Sequence, residues 1–190
     1  MVTSLLLAVL MCFLGAMTWS FSEYALHNWV GHLGRGKNHF SREHLHHHSK
    51  GDYFAPAWQK LVASIAVVGP MGVVSVFLMG KLFGLSYTLG FSVMYFLYEW
   101  LHRRLHSHPP RGFYGRWARR HHFYHHFVNP KMNHGVTSPI WDIVFGTYVE
   151  PEQIRVPEKL AMEWLCDPQS GDVHTSFAHD YVLRRRKSVA

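Results

Sequence analysis

Ten histidines in this chain have the spacing of metal ligands. Two stretches carry the pattern His-x-x-His-His: "HLHHH" supplies His44, His47 and His48, and "HHFYHH" supplies His122, His125 and His126. Each is preceded by a pair, His27 and His32 in "HNWVGH" and His102 and His106 in "HRRLH". On a helix, residues i, i+3 and i+4 share one face, so each triplet aims three imidazoles at one region, and His102 and His106 do the same as an i, i+4 pair. His27 and His32 are five apart, and a regular α-helix would splay them by about 140°. Either they serve different metals or the helix deforms there. Ten imidazoles shared by two metals give five each, which leaves a six-coordinate ion one open position for water or dioxygen. Imidazole suits iron, zinc, copper and nickel, and the count alone does not choose among them.

Two acids sit close to these sets. Glu23 precedes His27 by four residues and Glu99 precedes His102 by three. A metal-bound histidine commonly donates its other ring N–H to a carboxylate, which fixes its tautomer; the plainer alternative is an interfacial acid. Tyr98, beside Glu99, has the reach of a catalytic or orienting group, with a core aromatic as the alternative. His46 and His121 permit a shifted register and are reserve ligands. His108 and His134 also lie near the clusters, whereas His39, His174 and His179 read as ordinary surface or core histidines. A loose metal-scavenging tract would explain one histidine-rich stretch, but not two ordered copies with pairs ahead of them.

The elements that must position these side chains are apolar. The chain has 190 residues, 48% of them hydrophobic, and a formal charge of +7. Met1 to Phe21 is uncharged and about 20 residues long, enough to cross a bilayer core of roughly 30 Å. It lacks the basic start of a signal peptide. Leu61 to Met79 is a second such run, with Gly69 and Pro70 at its middle predicting a kink. Leu85 to Leu101 is a third, and the short "GKLFG" between them predicts a tight helical hairpin. Arg35, Lys37, Arg42, Lys50 and Lys60 lie between runs one and two, and Arg103, Arg104, Arg111, Arg116, Arg119 and Arg120 follow run three; only Lys81 lies on the other side. The positive-inside rule then puts both histidine stretches in the cytoplasm. Basic residues flanking membrane spans are a topology signal, so nucleic-acid binding is excluded. Cys12 lies in an apolar run and Cys166 in a polar one, which predicts neither a disulfide nor a cysteine metal site. The expected fold is an all-α membrane protein of about three transmembrane helices with a cytoplasmic helical cap carrying a histidine-rich di-metal site. Residues 1–150 form the catalytic domain and 151–190 a polar tail ending in the basic "LRRRKSVA".

The motifs "HNWVGH", "HLHHH", "HRRLH", "HHFYHH" and "NHGVTSPIWDIVFGTY" resemble the fatty acid hydroxylase/sterol desaturase superfamily of membrane di-iron enzymes, from about Glu23 to Tyr148. Within it, "YEWLH", "HHFYHHF" and "GVTSPIWDIVFGTY" are most similar to the sphingolipid and fatty acid 2-hydroxylases. The resemblance implies the same ten histidines as metal ligands that spacing selects. It implies oxygen-dependent attack on an unactivated C–H bond of a lipid: fatty acyl, sphingolipid or sterol-like. Zinc is redox-inert, so two iron ions are the working cofactor, with zinc as a substituting metal and dioxygen as co-substrate. Carotenoid 3-hydroxylation and lipid or sterol desaturation are the rivals on the same scaffold. A membrane metal-binding or transport protein, or a lipid-binding scaffold without catalysis, is the rival of a different class. The former needs polar residues along the spans, which are sparse, and the latter leaves ten histidines without a purpose.

Several further expectations follow from this reading. Ile140, Trp141, Ile143, Val144, Phe145 and Tyr148 would cap the site and line a lipid channel, or simply pack at the interface. The 190 residues contain no dinucleotide fingerprint, no cytochrome b5 domain and too few cysteines for an iron–sulfur cluster. A separate electron donor is therefore expected, a ferredoxin or cytochrome b5 with its reductase, steered by the arginines around the second histidine set. The expected location is a bacterial inner membrane or the endoplasmic reticulum, as a multi-pass protein.

Overall fold

The computed structural model describes residues 2–185. Five α-helices come first: α1 (Val2–Ala25), α2 (His39–Ser49), α3 (Ala57–Ser107), α4 (Gly112–Phe127) and the short α5 (Ile140–Val144). Two strands follow, β1 (Ile154–Pro157) and β2 (Tyr181–Arg184). The basic end from Arg186 onward lies outside the described residues. The chain packs as two compact units: residues up to Glu23 with Ala55–Trp100, and Tyr24–Phe54 with the chain from Leu101.

The first unit is built from three apolar helical stretches. A straight helix of 51 residues would put Lys60 and Glu99 about 58 Å apart at 1.5 Å per residue, yet the two side chains form an ion pair. The chain reverses at Gly80, with φ 78° and ψ 167°, a backbone region that essentially only glycine occupies. The arms 57–79 and 81–107 therefore run back along each other. The Tyr95 hydroxyl donates to the Lys60 carbonyl at 3.5 Å. The first arm stays helical through Pro70. Helix α1 packs on the second arm through Trp19, whose ring lies 5.3 Å from Phe91 and 4.8 Å from Tyr95. Gly15 and Gly90 allow the two backbones to touch, since a Cβ at Gly90 would lie 1.8 Å from the Cys12 carbonyl oxygen. Small residues permit the same close approach between membrane helices generally.

Most remaining apolar side chains of this unit point outward. Leu5, Ile65, Val73 and Leu78 are exposed, and Phe77 is 86% exposed. The stretches Val2–His32 and Ala57–Ser107 are long and apolar enough to cross a membrane. A soluble helix buries such a face; here the face is turned outward, the arrangement suited to hydrocarbon.

The second unit departs from an all-α fold. Strands β1 and β2 pair in parallel, Ile154 opposite Tyr181 and Val156 opposite Leu183. Parallel strands need a long crossover, supplied here by residues 158–180 with three single-turn 3₁₀ helices. Ile154 and Val156 alternate inward with Arg155 outward. They join Met162, Leu165 and Tyr181 in a core closed by Phe123 of α4. The segment expected as a polar tail after residue 150 thus has a packed apolar core within residues 151–185. Its sparse apolar residues have a partner in Phe123, which sits inside the second histidine motif.

The arginines after α3 are likewise not a free basic patch. Arg119 is buried and donates to the carbonyls of Arg104 (2.8 Å), His108 (2.6 Å) and Gly115 (2.9 Å). It therefore satisfies carbonyls at the α3 terminus. Burial lowers its pKa to about 10. Arg116 pairs with the buried Asp180 at 2.9 Å, and Arg120 lies 3.7 Å from the same carboxylate while donating to the Pro151 carbonyl. Arg116 and Arg120 thus tie the 150–180 segment to α4, and Arg119 lies 5.6 Å over the Trp164 ring.

Candidate metal centre

All ten histidines selected by spacing lie in the second unit and converge in two groups. His27, His32, His44, His48 and His125 form one; His47, His102, His106, His122 and His126 form the other. Within each group the potential ligand atoms all lie within 4.8 Å of one another. The grouping in space differs from the order in sequence by one exchange: His47 leaves the first set for the second, and His125 does the reverse. Helical rotation explains this. At about 100° per residue, His44 and His48 are about 40° apart, whereas His47 is about 100° from His48. The i, i+4 pair stays together and the residue between them faces elsewhere. The same rule keeps His122 with His126 and turns His125 away.

The pair His27 and His32 is reconciled by helix geometry. Residues Leu26–His32 form a π-helical turn, and the Leu33 N–H donates to the Asn28 carbonyl five residues back at 3.0 Å. The i+5 periodicity brings His32 over His27. The reserve candidates are not in either group. His46 is exposed and stacks on Tyr53 with ring centroids 4.1 Å apart, and His121 lies 3.1 Å from Asp142.

The spacing between nitrogens tests whether ions fit. Nε2 atoms approach in pairs: His32–His125 2.9 Å, His32–His44 2.8 Å and His48–His125 3.1 Å in one group; His47–His102 3.1 Å and His106–His122 2.9 Å in the other. Two ligands at right angles about an ion with bonds of roughly 2.0–2.1 Å lie about 2.9 Å apart, and two at tetrahedral angles about 3.3 Å. Three of these edges match the right-angle case, and the two at 3.1 Å lie between it and the tetrahedral one. Hydrogen bonds alone would satisfy these groups poorly, since one proton serves only one pair. The Nε2 atoms of His27 and His126 are buried without a hydrogen-bond partner. Both groups fit a metal ion.

In three of the ten histidines the other ring nitrogen is held by a backbone carbonyl. His47 Nδ1 lies 2.6 Å from the Tyr53 carbonyl, His125 Nδ1 is 2.8 Å from that of Met132, and His27 Nδ1 contacts that of His134. Each carbonyl can only accept, so Nδ1 carries the proton and Nε2 presents its lone pair. Burial holds His44, His48, His122, His125 and His126 well below the ordinary imidazole range, and neighbouring imidazoles push the same way. All are neutral at physiological pH, as ligands must be.

Asp142 and the loop around it order the carbonyls of the first group. The carboxylate accepts from the backbone N–H of His134 (2.8 Å) and Gly135 (2.7 Å), from the Thr147 hydroxyl (2.7 Å) and from His121 Nε2. Burial alone would raise its pKa, but hydrogen bonds led by that of His121 bring it well below the usual carboxylate range. Asn133 locks the loop ends, accepting from Val149 N–H at 2.7 Å while its own N–H donates to Thr147 at 2.8 Å. His134 is buried, and its ring lies 5.1 Å from that of His125. Sequence reading passed over Asp142 and left His134 unassigned; the available signal was a lone acid inside the apolar run "SPIWDIVFG". Of the other named residues, Ile140, Ile143, Val144 and Phe145 are exposed. Glu99 pairs with Lys60, and Tyr98 packs 5.6 Å from Trp19, both in the first unit.

The second group borders a cavity of about 1360 Å³, to which His106 contributes. Phe54 also lines it and packs on the rings of His47, His102 and His106 at 4.8, 5.3 and 5.6 Å. Trp164 lines it too and donates its indole N–H to the His106 carbonyl at 2.9 Å.

Two outcomes are expected. Protein purified without chelator should hold close to two metals per chain. His125→Ala should deplete the ion among His27, His32, His44 and His48, and His47→Ala the other, read by metal-edge anomalous scattering. Depletion in the opposite order would refute the exchanged grouping. The second concerns pH. Imidazoles of the unfolded chain protonate near 6.5 while the folded ones stay neutral well below it, so the unfolded state binds more protons in between. Stability of the metal-free protein is then full above about pH 6.5 and falls as pH drops through it. Thermal melts at about pH 7.5 and 5.5 should show the loss; equal melting temperatures would mean that the clustered imidazoles charge without unfolding.

Comparison with known proteins places this architecture. A model of the fatty acid hydroxylase family matches residues 12–147. The fatty acid 2-hydroxylase of Homo sapiens is 28% identical over 148 residues, covering 74% of this chain and 39% of the relative. The ceramide very long chain fatty acid hydroxylase of Saccharomyces cerevisiae is 28% identical over 167 residues, covering 74% and 39%. The dihydroceramide fatty acyl 2-hydroxylase of Arabidopsis thaliana is 27% identical over 151 residues, covering 70% and 58%. The chain thus spans about two fifths to three fifths of the length of these relatives. Among solved structures, full-length scs7p, in which only the hydroxylase domain is visible, aligns with a TM-score of 0.59 and 25% identity over 76% of this chain and 57% of that one. With the match running over most of its length, the chain belongs to the fatty acid hydroxylase family.

Proposed function

We propose that the chain is a membrane di-iron oxygenase that hydroxylates an acyl lipid, of the free or ceramide-linked kind named for its relatives, at the carbon next to the carbonyl. The observation that carries this reading is the pair of five-imidazole groups with right-angle nitrogen spacing, in a chain that belongs to a hydroxylase family. The reaction balances as R–H + O₂ + 2 e⁻ + 2 H⁺ → R–OH + H₂O. Iron held by the ten histidines would supply the redox chemistry that zinc lacks.

The chain's own residues set the conditions. The carbonyls of Tyr53, Met132 and His134 keep the protons of His47, His125 and His27 on Nδ1 and leave Nε2 free to ligate. Asp142, through the N–H groups of His134 and Gly135, fixes the loop that carries two of those carbonyls. Phe54 screens one face of the second group from water. Glu99 and Tyr98 stay candidate catalytic residues on their place in the sequence just before His102 alone. The exposed side chains of Ile140, Ile143, Val144 and Phe145 would meet the lipid. The catalytic unit extends beyond residue 150, because Leu165 and Tyr181 complete the core around Phe123 and Trp164 binds the His106 carbonyl.

We further propose three membrane crossings, counting the arms 57–79 and 81–107 separately, with the histidines on the cytoplasmic side. The outward apolar faces and the bias of Lys and Arg support this. Electrons would come from a separate ferredoxin or cytochrome b5 with its reductase.

Two measurements test the proposal. Mass spectrometry of lipids from a host with and without the gene should reveal a 2-hydroxyacyl species that vanishes with His125→Ala. A carotenoid or unsaturated product in its place would reassign the substrate or the outcome. For topology, Ser49→Cys and Asn129→Cys in a background lacking Cys12 and Cys166 should both resist an impermeant thiol reagent in intact cells. Labelling of either would overturn the cytoplasmic placement.

A further inference from the structure

The arginines after α3 that would have steered an electron carrier are in part engaged internally, by Asp180 and by carbonyls. The cations left over lie elsewhere. Lys50, Arg103, Lys159 and Arg184 all line the cavity beside His106. Among the described residues none of the four has a carboxylate within ion-pair distance, whereas Arg185, also on the wall, is engaged by Glu158 at 3.2 Å and Asp172 at 2.6 Å. Asp52 and Glu163 add two negative charges to the lining, so the unpaired groups sum to two positive charges. Unlike charges scattered over a surface, these come from the end of α2, from α3, the 157–164 segment and β2 and meet around one opening. Like charges gathered there repel one another and are relieved by a negative partner.

The chemistry beneath that opening says what the partner delivers. His106 is both a wall residue and a member of the second histidine group. Its carbonyl holds the Trp164 indole at 2.9 Å, so aromatic and hydrogen-bonded atoms lead from the wall to an imidazole of that group. Arg103 lies 4.9 Å above the Phe54 ring, a cation–π distance, and Phe54 packs on three imidazoles of the same group. Resting on the hydroxylase reading, each turnover consumes two electrons and two protons with R–H and O₂.

We propose that this cation-rimmed cavity is the docking and electron-entry site of an acidic one-electron carrier protein, which delivers two electrons per turnover to the second group by way of Trp164 and His106. The rim cations steer the carrier, and the attraction weakens with salt. The segment after residue 150 supplies Lys159, Trp164 and Arg184 and is in this view part of the redox interface.

The test uses metal-loaded full chain in nanodiscs and an acidic soluble cytochrome b5 haem domain, fluorescently labelled for binding and kept reduced by its reductase for turnover. Lys50→Glu, Lys159→Glu and Arg184→Glu are combined, with Arg155→Glu, on the exposed side of β1, as the charge control. The combined variant should bind the carrier about tenfold or more weakly at low salt, with the difference shrinking as salt rises. The lipid KM and turnover driven by dithionite should stay as in the unaltered protein. The milder Lys159→Gln with Arg184→Gln should shift affinity the same way and covers the case in which the triple reversal does not fold. Unchanged carrier affinity overturns the proposal. So does a rise in lipid KM with carrier binding intact, which would make the cavity a lipid headgroup site. Absence of hydroxylated lipid from the unaltered protein with dithionite would instead refute the hydroxylase reading, while the binding measurement still decides whether the rim docks a carrier.

Discussion

Everything in the second unit answers to one electrostatic constraint: ten imidazoles must be brought together uncharged, with lone pairs and no protons pointing inward. Five cationic rings with their ligand nitrogens within 4.8 Å of one another would repel strongly in a buried setting, and five randomly oriented neutral rings would place N–H groups against N–H groups. The solution is to occupy the outer nitrogen. Backbone carbonyls of Tyr53, Met132 and His134 do this for His47, His125 and His27. The cost moves to the loops, whose backbone must be held still. Asp142 and Asn133 tie the 133–149 loop through at least five hydrogen bonds to backbone or hydroxyl groups. A carboxylate therefore orders the first group through the chain rather than by touching its rings.

The helical register carries a second consequence. Because i and i+4 stay together while i+3 turns away, α2 and α4 each give two histidines to one group and one to the other. Neither helix can make a site alone, and neither site survives loss of the opposite helix. A metal bound there would act as a cross-link between α2, α4, the end of α3 and the π-helical turn, elements distant in sequence. Binding energy of this kind is also folding energy.

What could be read in the sequence follows from which forces leave a mark there. The apolar runs were legible because hydrocarbon demands length and lack of charge, and the reversal at "GKLFG" because glycine is the residue that can make it. The ten histidines were legible because ligand chemistry restricts residue type. Their division into groups was not, since it depends on the rotation of α2 and α4 and on a π-turn for which "LHNWVGH" has no separate code. The orienting role of the 132–149 loop was invisible for a deeper reason: carbonyls do the orienting, and every residue has one. The packing of the segment after residue 150 left little mark because Ile154, Val156, Met162, Leu165 and Tyr181 are dispersed among polar residues, and their partner Phe123 sits between histidines. Likewise a count of arginines does not reveal that Asp180, sixty residues on, faces Arg116 and Arg120.

The two histidine groups are chemically unequal despite equal numbers. The first is bounded by the Asn133–Thr147 loop, with the buried ring of His134 packed against His27, His32 and His125. The second is bounded by Phe54, by the cavity and by Trp164 on the His106 carbonyl. Three of the five histidines of the first group are only half-buried, whereas four of the five in the second are buried and one of them, His106, shares the cavity wall. Two ions in such surroundings would differ in potential, since hydrogen bonding and solvent access around ligands tune a metal. In the reading in which electrons enter from the cavity, the second group, which shares His106 with it, would receive them first. The asymmetry arises from the loop chosen to back each set of rings, because the ligand types are identical.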